Sequence, residues 1–300
     1  MKSRIVAVNS TYDEVYENLE SALDSFAEFT SKLNTSRVIS IKINLCDART
    51  PDTGAITDPV FLDALLRYLR KKCGDSVEIN VVESEATVAM PNLFIEWFGF
   101  VPVLKKWGAS FVNLSKDKTV IKEIDGLAFK KFAVPSTIAR SDVFISLSKL
   151  KTIGLTKITC ALKNQFGCIP RKKKIDFHRS LDNVIVDANL VMRPDLSIVD
   201  GIIAHVGSKG PAFGRPVPAN LIVIGNDPVA TDSFCAKVFG FNPYFVGHIR
   251  KAAKAKIGVL RGYDVVLRGF SETPRVNSEF NLPEVYFIKM AVGLFKRNNN

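Results

Sequence analysis

Histidine is scarce in this sequence: His178, His205 and His248 are the only three in 300 residues. No two stand at HxxxH spacing, which argues against a histidine-built zinc site. Cysteine is equally unhelpful to a metal or a disulfide framework. Cys46, Cys73, Cys160, Cys168 and Cys235 are five in number, scattered, and form no CxxC pair. An odd, dispersed set among many lysines suggests reduced thiols in the cytosol. No apolar run approaches the length of about eighteen residues that a transmembrane helix needs. The opening MKSRIVAVNSTYDEVYENLE turns acidic and polar too soon for a secretion signal. There is no internal repeat, no low-complexity tract and no clean linker. These absences lead us to expect a cytoplasmic protein made of one interleaved domain over 1–270. A tail over 271–300 follows, with the pattern of an amphipathic helix.

What is plentiful is positive charge: 41 basic against 30 acidic residues, a formal +11. Such an excess favours anionic partners, without separating nucleic acid from a small phosphate or a membrane surface. The apolar share of 47% is ordinary for a globular chain. The charge is densest at 149–179, where nine Lys or Arg stand against one acid, Asp176.

The order of elements is mostly strand, helix, strand. RIVAVNS (4–10), RVISIKINL (37–45), VEINVVES (77–84), ASFVNLS (109–115), DVFISLS (142–148), DLSIVDGIIAHV (195–206), NLIVIGN (220–226) and YDVVLRG (263–269) read as strands. Asp58-Pro59 and Asp227-Pro228 each supply an N-cap and a first-turn proline to a helix. TKITCALKNQF (156–166) is helix-patterned. Asp125-Gly126, between two apolar runs, is the strongest hairpin signal. The pattern predicts an α/β fold: a mostly parallel central sheet with helices on both faces and an inserted β-hairpin near 119–134.

In open α/β sheets, ligands sit beyond the carboxyl ends of the strands. Those ends deliver Lys42 and Asn44, Lys149 and Lys151, Asp200, and Asn226 with Asp227. On the expected helix, Thr156, Thr159 and Lys163 share a face beside Asn164. We therefore expect Lys42, Asn44, Lys149, Lys151, Thr156, Thr159, Lys163 and Asn164 to hold an anion. Asp200, Asp227 and His178 are the candidate acids or bases. The bland readings are a solvated rim for the lysines and a helix cap for Asp227. RKKK (171–174) reads as a solvated loop or as a lid carrying His178. Cys160 and Cys168 flank the cationic helix and are candidates for reactive thiols, the packed core being the commoner fate of Cys160. His205 and His248 read as structural. GSKGPAFGRP (207–216) lacks the GxxxxGK[ST] of a phosphate loop, and its prolines remove N–H donors.

An ordered series of motifs resembles the domain-of-unknown-function 362 family. It runs through KINL (42–45), TDP (57–59), SLSKLKT (146–152), LTKITCALKNQFGCIP (155–170) and His178. It continues with PDLSIVDGI (194–202), GPAFG (210–214) and NDPVATDSFCAKVFGFNP (226–243). The resemblance covers about 37–243. Many members of that family carry ferredoxin-like segments that bind two four-iron clusters; the CxxCxxCxxxCP run they need is absent here, so no self-contained iron–sulfur cofactor is expected. The family pattern has a histidine where Ile153 stands, which puts any activity resting on that histidine in doubt. A fainter similarity is to the amino-terminal half of nickel-dependent lactate racemases.

Three functions compete. The leading one is binding, and conversion by an enzyme of unknown reaction class, of a small phosphorylated or carboxylated metabolite. The second is a nucleic-acid or polyanion binder using RKKK and the basic run 249–256, with affinity falling steeply with salt. The third, by family association, is an iron–sulfur-associated redox accessory protein. Cofactor, oligomeric state and substrate stay open.

Overall fold

The computed structural model describes residues 2–210, 213–286 and 290. Its strands in chain order are β1 (Arg4–Asn9), β2 (Val38–Lys42), β3 (Glu78–Glu83), β4 (Ser110–Asn113), β5 (Thr119–Glu123) and β6 (Lys131–Pro135). They continue with β7 (Val143–Ile153), β8 (Lys157–Thr159), β9 (Leu196–Val206), β10 (Arg215–Gly225) and β11 (Asp264–Arg268). One nine-stranded sheet runs in the order β11-β1-β10-β9-β7-β2-β3-β4, with β8 pairing β7. All its pairings are parallel except those of β10 and β8. The α/β class, the largely parallel sheet and the inserted hairpin β5–β6 are as the pattern predicts.

Helices cover both faces. On one lie α1 (Val15–Leu23), α2 (Ala27–Thr35), α3 (Pro59–Cys73), α4 (Pro91–Trp97) and α5 (Phe100–Lys106), packed through Leu19, Phe61, Leu65 and Phe94 onto Ile39, Ile41 and Ile145. Beyond the hairpin, α6 (Ser136–Ala139) leads into β7. The other face carries α7 (Ala161–Asn164), α8 (Leu181–Val191), α9 (Pro228–Val238) and α10 (Gly247–Lys254), packed on Leu150, Val199 and Val223. Both Asp-Pro pairs act as caps: Asp58 accepts from the Val60 N–H at 2.8 Å, and Asp227 from Val229 and Ala230 at 2.8 and 3.0 Å.

Three departures have physical causes. The helix expected over 156–166 does not form. The chain doubles back through Lys157, held at φ 66°, into β8, and only Ala161–Asn164 is α-helical before a 3-10 turn over Gln165–Cys168. Local helical spacing yields here to pairing along β7. Strand β10 starts at Arg215, earlier than the run at 220, because Pro216 and Pro218 sit on its exposed stretch, where they are tolerated. It also runs antiparallel to β9 and β1, so its carboxyl end lies at the opposite edge from theirs. Of the helix expected in the tail, 282–286 and 290 are helical; 287–289 and 291–300 lie outside the described residues.

The hairpin is anchored rather than tightly turned. Its loop at 124–130 donates the Leu127, Ala128 and Phe129 N–H groups to buried Asp187 of α8 at 2.7, 2.7 and 2.9 Å. Gly126 is needed there, since a Cβ would meet the Asp187 carboxylate at 2.5 Å. Asp187→Ala is expected to cost about 2–4 kcal/mol, because it orphans three turn amides bound to a charged acceptor. Equilibrium urea unfolding checks this; a loss within about 0.5 kcal/mol would be that of an ordinary surface change.

Candidate functional site

The site grows from the carboxyl ends of β2, β3, β7 and β9. Lys42 closes β2 with its ammonium fully buried. It donates to Glu83 Oε2 at 2.8 Å, to the Ile43 carbonyl at 2.6 Å and to Asn164 Oδ1 at 3.5 Å. Glu83 also accepts the Leu45 and Ser84 N–H groups, each at 2.9 Å. Gly167 lies on this pair so tightly that a Cβ would meet Lys42 Nζ at 2.6 Å. Asn164 bridges onward: its Nδ2 donates to the Lys42 carbonyl and to Ser146 Oγ, both at 3.1 Å, while its Oδ1 accepts from Asn44 Nδ2 at 3.1 Å. Asn44 Oδ1 in turn accepts from Lys151 Nζ at 2.6 Å. Lys151 completes the chain with the Ala55 carbonyl at 2.7 Å and the Cys46 sulfur at 3.3 Å. One polar network therefore runs Glu83, Lys42, Asn164, Asn44, Lys151, Cys46.

Lys163, one residue before Asn164, is half-buried, and its ammonium has no hydrogen-bond or ion-pair partner among the described residues. Desolvation, with the neighbouring Lys151 ammonium adding to it, brings its pKa from 10.5 down to about 8; Cys46 opposes the shift.

Lys149 belongs to a second, closed cluster. Its ammonium meets Asp200 at 2.8 Å, both side chains fully buried, with the Tyr12 hydroxyl at 3.4 Å from Asp200. The parallel register of β7 and β9 sets Lys149 opposite Asp200. Burial first, then the Asp200 charge, pushes the Tyr12 hydroxyl far above its usual range. Asp58 is also raised, by burial and then by Asp200, although the Val60 N–H holds it down.

The loop 46–57 roofs these lysines. Gly54, at φ 68°, lets it touch β9, where a Cβ would strike the Ile203 carbonyl at 2.7 Å. His205 is tied to it through the Thr53 carbonyl at 2.8 Å.

The structure thus brings together Lys42, Asn44, Lys151, Lys163 and Asn164, with Lys149 and Asp200 alongside as an ion pair. Thr156 and Thr159 are buried in and beside the β8 turn, Thr156 donating to the Ile158 carbonyl, so they share no helix face with Lys163. Asp227 and Asn226 do not join. The reversed direction of β10 puts them at the far edge, where Asp227 accepts from Val229, Ala230, Val259 and the Ser3 hydroxyl. His178 stands half-buried in the 3-10 turn Lys174–Ser180, beside Phe177, which packs edge-on to Phe129 and Phe166. Cys160 and Cys168 are fully buried, and burial pushes both thiols up, Cys168 to about 12, contrary to a reactive-thiol reading. The basic run is pinned: Lys174 is buried against Ser84 Oγ and the Glu85 carbonyl, and Arg171 pairs with Asp176 at 2.7 Å. Buried His248 faces Asp232 and Asp182.

Sequence reasoning passed over Glu83, Tyr12 and Cys46. Glu83 had a signal, as the acid that ends the strand VEINVVES. Cys46 had a weaker one, standing two residues beyond Asn44 at the same strand end; Tyr12 had none, since only the packing of a distant loop brings it in.

A family model described as "Domain of unknown function (DUF362)" matches residues 39–237, more than half of the chain. The chain belongs to the DUF362 family. A relative, the thylakoid-associated protein sll1697 of Synechocystis, is 27% identical over 233 residues, which are 74% of this chain and 68% of that protein. Among solved structures, the lactate racemase apoprotein of Thermoanaerobacterium thermosaccharolyticum aligns with a TM-score of 0.44 at 10% identity. That alignment covers 84% of this DUF362 chain and 56% of the racemase, so the chain spans little more than half the racemase's length. Among the described residues, no helix is long and apolar enough to cross a membrane, and no cluster of His, Cys, Asp and Glu has the geometry to hold a metal ion.

Proposed function

We propose that this protein binds, and acts on, a small phosphorylated or carboxylated metabolite at the strand-end lysines. Lys163 holds the anion, the internally bonded Lys151 ammonium adds its charge from behind, and Asn44 and Cys46 stand beside it. One observation carries this reading: among the described residues neither ammonium has a carboxylate partner. Lys42 and Lys149 each face an acid. Two cations set close together without a counter-charge are costly when desolvated, and a bound anion removes that cost. This narrows the expected lysine set to two and leaves Lys42 and Lys149 as the framework. The polyanion reading has less support. Arg171, Lys172 and Lys173 lie within 4 Å of Asp176 or Glu85, so the basic run is partly neutralised.

A panel of small carboxylates and phosphate monoesters, screened by thermal shift and followed by calorimetry, tests the site. Lys163→Ala is the clean variant, because it removes no internal hydrogen bond. Its affinity for any hit should fall about ten- to hundredfold, the value of one charge-assisted contact. Equal affinity in Lys163→Ala and the parent would remove Lys163 from the site.

A further inference from the structure

The sheet has an opening at its other edge. Where β1 and β9 begin and β10 ends, a cleft of about 610 Å³ lies between Arg4, the segment 25–29 that starts α2, and the turn 193–195. That volume is within the roughly 300–1,000 Å³ usual for small-molecule sites. It is far from the strand-end lysines, because β7 and β9 carry Lys149, Lys151 and Asp200 toward the opposite edge.

The lining is cationic and prebuilt. Lys2, Arg4, Lys32 and Arg193 outnumber the two acids of the lining, Glu28 and Asp195, although Lys2 is paired with Asp264 at 2.7 Å outside the lining. Asp195 is already engaged, by Lys32 at 2.5 Å and by the Phe144 N–H at 2.8 Å. Arg4 is held by the Ser25 carbonyl at 3.0 Å and lies over the Phe26 ring at 5.9 Å, and its N–H donates to Asn226 at 2.8 Å. Arg193 is exposed and has no partner among the described residues. Helix α2 enters the cleft with Phe26 as its N-cap residue and no side-chain cap, so the first-turn N–H groups have no side-chain acceptor. Glu28, exposed in that first turn, is the one unengaged acid of the lining.

We propose that this cleft is a second ligand site, one that takes a phosphate monoester with a small organic body. The phosphate sits between Arg193 and the start of α2, and the body lies along the Arg4–Phe26 wall. A guanidinium and uncapped helix N–H groups together match a tetrahedral dianion. The cleft is larger than inorganic phosphate alone would fill.

The test is calorimetry at low salt, with adenosine monophosphate and inorganic phosphate as separate probes, on the full chain. The nucleotide is expected to bind with Kd on the order of 1 mM or tighter, and more tightly than phosphate. Arg193→Glu should weaken it about tenfold or more, and Glu28→Gln should tighten it about two- to fivefold. Both positions are exposed, so neither variant threatens folding. Lys163→Ala should leave the Arg193-sensitive binding event in place, whatever the nucleotide does at the other edge, which separates the two sites. No binding of either probe, an Arg193→Glu variant that binds like the parent, or loss of the Arg193-sensitive event in Lys163→Ala would each overturn the proposal.

Discussion

Lys149→Met is expected to destabilise the protein by about 3–5 kcal/mol, the usual consequence of stranding one partner of a buried ion pair. Parallel pairing sets Lys149 opposite Asp200, and both side chains are sealed from solvent with 2.8 Å between charges. Removing the ammonium leaves Asp200 with the Ile202 N–H at 3.1 Å and the Tyr12 hydroxyl at 3.4 Å as its donors. Two neutral donors cannot replace a cation for a carboxylate in a dry interior. The double variant Lys149→Met with Asp200→Asn should recover more than half of the loss, since the charge is then gone and the Ile202 N–H keeps its acceptor. Urea unfolding followed through Trp97 and Trp107 measures both variants. A single variant with the parent's midpoint would show that the pair contributes nothing; a double variant as unstable as the single would mean that lost packing, rather than stranded charge, sets the cost.

The same pair shows what the sequence could and could not disclose. Lys42, Asn44, Lys149 and Lys151 were legible because they end apolar, β-branched runs, and strand ends in a parallel sheet share an edge. The direction of a strand is not written in its hydrophobic pattern. NLIVIGN reads the same whether it runs with its neighbours or against them, so Asp227 was expected at the mouth and lies at the far edge. Helical spacing at 156–166 was real, but it describes only a local preference. The pairing of Lys157–Thr159 with β7 overrode it, and Lys163 reached the site from a single short turn of helix. Lys174 was hidden in a run that looks solvated as a whole, because a run of charges gives no sign of which member turns inward. Its pKa is brought to about 8 by burial.

Lys163 is expected to be the lysine that pyridoxal phosphate labels first. The aldehyde condenses with a neutral amine to an imine, water leaves, and borohydride fixes the adduct as a secondary amine. With its pKa near 8, against 10.5 for an ordinary lysine, Lys163 carries roughly two hundredfold more neutral amine at about pH 7.5. If the proposed anion site is real, the phosphate of the reagent should add affinity for the same cationic setting. Lys174 provides an internal control. Its pKa is also about 8, yet its Nζ is buried and donates to Ser84 Oγ and the Glu85 carbonyl, so its lone pair is not presented. Peptide mapping should therefore find Lys163 modified well ahead of Lys174 and of the surface lysines. Labelling spread evenly over exposed lysines would contradict the depressed pKa, and labelling of Lys174 first would contradict the closed setting drawn for it. The sign of the pH dependence follows. Below pH 8 Lys163 is charged in both folded and unfolded chains, and the folded state bears the cost of desolvating it. Between about 8 and 10.5 the unfolded chain binds the extra proton, so this group's contribution to stability rises with pH across that window. The proposed anion binding should run the other way, fading as pH climbs through 8 and the ammonium is lost. Opposite slopes for stability and affinity over one window are a signature that a lysine serving only as a structural prop would not produce.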